Sequence, residues 1–164
     1  MRLMRVGIAG TAVLLALSQP VLAHGPAKQG AAHSALPAAA RGPAATVDAF
    51  HAALRRGDMN AAAALLADDA LIFEEGGVER SKAEYVVEHL PADAAFSKVV
   101  HSMITRRAGG ANASFAWVAS EGRMTGTHDG KAVNRSTTET MLLRRAGSAW
   151  KVIHIHWSSA AASD

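Results

Sequence analysis

From Thr46 onward, apolar residues recur at one period and then at another, and the change divides the chain. Val47, Phe50, Ala53 and Leu54 repeat at helical spacing, and Gly57 supplies a C-terminal stop. Asp58 then caps a second short helix over 59–67 with Leu65 and Leu66 on its buried face, so the two form a helical hairpin. Residues 70–74 read as a short strand closed by Gly76-Gly77. Ser81-Lys82-Ala83-Glu84 fits a capping box for a third helix over 82–89, and Pro91 prevents its clean continuation. Beyond Lys98 the period becomes that of strands, predicted over 99–107, 114–127, 133–145 and 150–159. Ala108-Gly109-Gly110, Asp129-Gly130 and Ala146-Gly147-Ser148 separate them, and Asp129-Gly130 is a strong type I′ hairpin signal. Helix, helix, strand, helix and an antiparallel meander predict an α+β fold. A long curved antiparallel sheet wraps three helices and leaves a pocket between the layers. There is no internal repeat.

The residues before Thr46 have no such period. Arg2 and Arg5 form a positive n-region, 6–17 a short apolar core, and Val21-Leu22-Ala23 a small-x-small cleavage site. The apolar run is too short to span a bilayer comfortably, and Gln19-Pro20 interrupts it. The expectation is a signal peptide over 1–23 cut after Ala23, giving a periplasmic or secreted protein with no membrane attachment after cleavage. Residues 24–44 are rich in Ala, Gly and Pro and read as a flexible leader, followed by one domain over 45–159 and a tail over 160–164.

Removing the signal changes the charge argument. The 164-residue chain has 17 Lys and Arg against 14 Asp and Glu; losing Arg2 and Arg5 leaves 15 against 14. A net charge near +1 gives no basis for nucleic-acid binding. The absence of cysteine excludes disulfides, thiol catalysis and thiolate metal sites. No Gly-rich phosphate loop, no H-E-x-x-H and no nucleophile elbow is present.

Three segments carry a resemblance. They are Phe50-His51-Ala52-Ala53-Leu54-Arg55-Arg56-Gly57-Asp58, Leu65-Leu66-Ala67-Asp68-Asp69-Ala70 and Trp150-Lys151-Val152-Ile153-His154-Ile155-His156. With this opening and closing the chain resembles the NTF2-like superfamily, closest to its SnoaL-like and DUF4440 branch, which also includes the association domain of calcium/calmodulin-dependent kinases. The resemblance covers about residues 45–159 and implies a cone fold and a homodimer formed through the outer face of the sheet. It implies no single activity, because the superfamily includes isomerases, dehydratases, cyclases, binding proteins and assembly domains. The ketosteroid-isomerase pattern of a tyrosine and a protonated aspartate opposite an aspartate base is not matched by motif, and Tyr85 is the only tyrosine. Where the kinase association domain carries an arginine after the second histidine of its closing strand, this chain has Trp157, which the resemblance places in the pocket.

Four groups of residues could carry chemistry. His154 and His156, two apart on a strand, share one face. They could offer two nitrogens to copper or zinc, with His101 or His128 as a third. Alternatively they form a hydrogen-bonded interface strip on the outer face, the reading favoured if Ile153, Ile155 and Trp157 fill the cavity side. Tyr85 and His89 share a helix face, and His89 with Asp93 would make a general acid–base pair. Phe73, Phe96, Trp117, Glu121, Arg123 and Glu139 supply aromatic and charged groups for a pocket, with Trp117, Glu121 and Arg123 of one strand parity. His24, terminal after cleavage, could chelate copper through its amine and imidazole, with His33 nearby. The leading functional expectation is a small organic ligand held in the cone, or acted on there without a cofactor, by Phe73, Tyr85, Trp117, Arg123 and Trp157 around His89 and Asp93. The alternatives are a metal-handling protein and a structural dimerisation domain.

Overall fold

The structure, a computed structural model, describes residues 36–162. The expected signal peptide, the leader up to residue 35, His24 and His33 lie outside the described residues. A single 3-10 turn, Ala38–Ala40, leads into α1 (Arg41–Arg56), followed by α2 (Met59–Leu65), β1 (Leu66–Glu74), β2 (Gly77–Glu79), α3 (Lys82–Glu88), α4 (Leu90–Val99), β3 (Val100–Ala111), β4 (Phe115–His128), β5 (Lys131–Ala146) and β6 (Ala149–Ala161). The six strands form one sheet in the order β2-β1-β6-β5-β4-β3. β3 to β6 are the expected meander, while β1 joins the edge of β6 in parallel. The α+β cone expected from the chain is the architecture observed.

Local signals explain most boundaries. Gly57 is left-handed (φ 69°) and ends α1, and the Asp58 carboxylate accepts the Ala61 N–H at 3.0 Å to start α2. Ser81 accepts the Glu84 N–H at 3.1 Å, and Glu84 in return accepts the Arg80 N–H at 2.7 Å. Asp129 (φ 50°) and Gly130 (φ 73°) make the expected tight turn.

Several elements depart from expectation, among them β2, which pairs back on β1 where only a closing turn at Gly76-Gly77 was expected. Helix begins at Arg41, not Thr46, because Pro43 sits in its first turn, where a missing N–H costs nothing, and Ala40 and Ala44 are buried. An Ala-rich stretch that reads as a leader is there a run of small residues allowing close packing. Residues 90–99, with Pro91 in their first turn, form a fourth α-helix: proline starts a helix as readily as it stops one. Residues 66–69 belong to β1, not α2, and a bulge separates the Leu66 and Leu71 pairings. Gly109-Gly110 lies inside β3 and not in a turn. The Trp117 indole covers Gly110, where an added Cβ would come within 2.7 Å of Nε1. The turn falls at Asn112, whose side-chain oxygen accepts the N–H groups of Ser114 and Phe115 at 2.9 and 2.8 Å.

The core lies between the helices and the inner face of the sheet, with Val47, Phe50, Leu54, Leu66, Ile72, Tyr85, Leu90, Val118, Met141, Leu143, Val152 and Ile155 buried. The bulge between Leu142 and Leu143 shifts the phase of β6. Val152 and Ile155, three apart, therefore both face inward, and Ile153 drops out of the expected alternation. Trp157 keeps the inner parity, stacking on Phe50 with ring centroids 6.3 Å apart.

This assignment of faces has a stability consequence. Ile155→Ala is expected to cost about 2–5 kcal/mol in urea unfolding, while His156→Ala on the opposite face stays within about 0.5 kcal/mol. A larger loss for His156→Ala would mean that the faces are reversed.

Candidate functional site

The site is built from one row of cross-strand partners. Glu74 on β1 pairs with Trp157 on β6, Trp157 with Glu139 on β5, Glu139 with Ser120 on β4, and Ser120 with Arg107 on β3. Directly paired residues share a face, so these five side chains form a polar band across the inner side. α1 lies over it. The Arg107 guanidinium donates to Ser120 Oγ at 3.1 Å and to Asp48 of α1 at 2.7 Å. One turn along, His51 Nε2 lies 2.6 Å from Glu139 Oε2, and the Trp157 indole N–H donates to the same oxygen at 2.8 Å.

A cavity of about 340 Å³ opens against this band. Its walls include Leu54, Phe96, Val100, Ile104, Met124 and Trp157, and its polar groups include His51, Glu74, Asp93, Ser120, Thr137 and Glu139. Apolar walls with a few convergent polar groups are the usual make-up of a small-molecule site.

Two carboxyl environments differ sharply. Glu139 has a side chain only 10% exposed. Burial alone would raise its carboxyl, but the His51 and Trp157 hydrogen bonds and the nearby Arg107 charge outweigh that and hold it below the ordinary glutamate value. Ionised Glu139 accepts from His51, which places a proton on Nε2. At the other end of the band, burial pushes the Glu74 carboxyl up to about 7, reinforced by the negative charges of Asp93, Glu75 and Glu79 and opposed by His89. Asp93 is likewise raised by burial, although it accepts the Tyr85 hydroxyl at 2.7 Å. Tyr85 is fully buried, and burial with the neighbouring Asp93 charge keeps its hydroxyl protonated.

The structure thus brings together only part of the expected set. Asp93 and Trp157 line the cavity. Tyr85 stands behind Asp93 and does not reach the cavity. His89 falls between α3 and α4, bonded through Nδ1 to Glu79 outside the lining, so the expected His89–Asp93 pair is not assembled around the ligand space. Phe73 faces outward, its ring edge-on to His154 and His156 at 5.1 and 6.2 Å, because it pairs in register with His156. Trp117, 41% exposed between buried Ala116 and Val118, is also on the outer face. Arg123 alternates with the cavity-lining Gly122 and Met124 and does not line the cavity. Trp117 and Arg123 were grouped by parity, which puts residues on one face without saying which face the helices cover.

His154 and His156 take the outer face, the placement expected if Trp157 points inward. His154 Nδ1 lies 2.8 Å from the Leu71 carbonyl oxygen, and the two imidazole centroids are 6.5 Å apart. β5 and β4 separate β6 from His101 on β3, a distance of roughly 14 Å at ordinary strand spacing. His128, at the far end of β4, packs against Phe96 instead. Among the described residues no three His, Asp or Glu side chains gather around one point. His51 and Glu74 were not singled out from the sequence, since a polar residue on an amphipathic helix and a glutamate ending a strand are ordinary surface signals.

The two carboxyl environments predict opposite pH effects on stability. Glu74, raised when folded, costs stability as the pH rises from about 4.5 to about 7, the interval between its unfolded and folded values. Glu139, lowered when folded, adds stability above the ordinary glutamate value that is lost on acidification. Glu74→Gln is therefore expected to raise stability at pH 8 by about 1 kcal/mol after allowance for solvent screening, and to do little at pH 4. Thermal unfolding at both pH values checks this, and an equal effect at the two would count against the assignment.

Solved structures place this arrangement among relatives. A crystal structure from Shewanella frigidimarina, provisionally named a ketosteroid isomerase, shares 32% identity over 76% of this chain and 100% of its own, with a TM-score of 0.71. A calcium/calmodulin-dependent protein kinase II association domain from Xanthomonas campestris, also provisionally named, shares 24% over 78% and 94%, with a TM-score of 0.63. An NTF2-like protein from Streptomyces avermitilis, provisionally named a dehydratase, shares 18% over 76% and 98%, with a TM-score of 0.65. The last two show similarity of fold alone. No curated protein matches the chain. The fold is that of the NTF2-like structures, and because residues 44–162 match the SnoaL-like domain family, the chain belongs to that family.

Proposed function

We propose that this domain holds a small organic molecule in the cone cavity and moves a proton on it without a cofactor. The observation that carries the reading is the hydrogen-bonded set at Glu139, where one buried carboxylate oxygen receives both His51 and the Trp157 indole within an apolar-walled cavity. A carboxylate that fixes the tautomer and orientation of an imidazole is how a histidine is prepared to act as a base. His51 is the proton-transfer group in this reading, Glu139 and Trp157 position it, and Asp93 with Tyr85 behind it is a second acid on the opposite wall. The Shewanella neighbour's provisional name, a ketosteroid isomerase, denotes proton transfer next to a carbonyl and supports the same reaction class.

Proton exchange tests this directly. Small ketones and 1,3-dicarbonyl compounds incubated with the protein in D2O are expected to exchange their acidic C–H hydrogens faster than in buffer, followed by NMR. His51→Gln is expected to lower the protein-dependent rate by about 10²–10⁴-fold. Bound compound without exchange would reduce the domain to a binding module. Ser97→Trp, which fills the cavity from α4, is expected to abolish binding itself.

We also propose an exported homodimer formed through the outer face. The signal-like sequence supports export, and no helix among the described residues is long and apolar enough to cross a membrane. Exposed apolar side chains support the contact: Met103 is 61% exposed and Trp117 41%, on the adjacent strands β3 and β4. Native mass spectrometry of the protein from the periplasm is expected to give a dimer of chains beginning at His24, converted to monomer by Trp117→Arg. A monomeric wild type, or an intact N-terminus, would count against the respective part.

A further inference from the structure

The inner band is unequal in charge, and the inequality identifies what the cavity would accept. Each cation along it already has a partner: Arg107 is held by Asp48 and Ser120, His51 by Glu139, and Arg135 by Glu75 and Ser159. Arg106 pairs with Glu121, and Arg55, near the exposed end of α1, also lines the cavity, where it faces the carboxyls of Asp48, Glu74, Glu75, Asp93, Glu121 and Glu139. Glu74 differs. It lines the cavity next to Trp157, and among the described residues it has no hydrogen-bond or ion-pair partner.

The groups around Glu74 are carboxyls on three sides: Glu75 beyond it in the turn, Glu79 on β2, and Asp93 on α4. Tyr85 of α3 spends its hydroxyl on Asp93, and His89, the one opposing charge, is taken by Glu79. A carboxylate left in this setting lacks compensation that a cation could supply, and a second anion would add to the repulsion. Beside it stands an aromatic ring, with Glu139 on that ring's other side in the same row. Carboxylate, indole and carboxylate in sequence are the groups that recognise an ammonium, through a charge-assisted hydrogen bond and the electron-rich ring.

We propose that the ligand of this cavity carries an amine, held as the ammonium by Glu74 beside the Trp157 ring. The assignment rests on the cavity being the binding site and adds the chemical class of its occupant. The rest of the ligand is apolar, lying against Phe96, Val100 and Met124. Binding requires the Glu74 carboxylate, so it is coupled to loss of the Glu74 proton. Affinity falls as the pH drops below about 7, by about tenfold per unit at the limit.

Three compounds with one carbon frame separate the possibilities: cyclohexylmethylamine, cyclohexylmethanol and cyclohexanecarboxylate, titrated calorimetrically into the mature protein at pH 7.5. The amine is expected to bind about tenfold or more tighter than the alcohol, with the carboxylate weakest. Glu74→Gln is expected to remove that preference while leaving the alcohol unaffected. An alcohol or carboxylate that binds as tightly as the amine overturns the amine assignment and leaves the cavity as the site. Amine binding that survives Glu74→Gln also overturns it. Failure of all three to bind sinks the cavity reading and the amine with it.

Discussion

A carboxylate cannot be buried under a helix unless its charge is met, and the geometry of this domain turns on how Glu139 is met. His51 descends from α1 and the Trp157 indole comes from the adjacent strand, both to one oxygen. Removing either partner would strip a hydrogen bond from a buried carboxylate, which costs more than an ordinary hydrogen bond contributes. The contact therefore sets the rotation of α1 over the sheet. Arg107 and Asp48 repeat the arrangement closer to the start of the helix, so α1 is held at two polar points between its apolar contacts.

Between those points the packing is apolar and close. Phe50, fully buried, stacks on Trp157 and meets His51 edge-on with centroids 5.7 Å apart. The same indole thus serves the core with its ring and the buried carboxylate with its N–H, as an aromatic with a polar handle can. At the N-terminal end of α1, Trp150 of the same strand approaches Gly42, where an added Cβ would lie 3.5 Å from its indole nitrogen. Two tryptophans on β6, seven residues apart, hold the start and the middle of one helix.

The opposite end of the band remains electrostatically unfinished. Glu74, Glu79 and Asp93 converge from β1, β2 and α4, and among the described residues only Tyr85 and His89 answer them. Natural folds tolerate such crowding where a ligand or a proton completes the arrangement, and perturbed carboxyls in a cavity are a recurring mark of a functional site. One sheet row thus runs from an uncompensated acid, past an aromatic ring, to a hydrogen-bonded acid and a guanidinium paired with Asp48 and Ser120.

Much of this domain was legible in the chain itself. Gly57-Asp58, Ser81-x-x-Glu84 and Asp129-Gly130 act through their own backbone geometry, so their helix ends and turn needed no tertiary information. Alternation along the last strand likewise put Trp157 on one face and the two histidines on the other. Tertiary structure decided the rest, because periodicity assigns residues to a face and is silent on what covers it. Which face of β4 met the helices determined that Trp117 and Arg123 lie outside, and a bulge between Leu142 and Leu143 reset the phase of β6. Gly109-Gly110 has the composition of a turn, but Trp117 lies over it and keeps it in a strand. His51 and Glu139 stand 88 residues apart, and Glu74 and Trp157 meet only where a parallel strand joins the edge of the meander. Local rules reach a few residues along the chain, and a site assembled across five strands and two helices lies beyond that range.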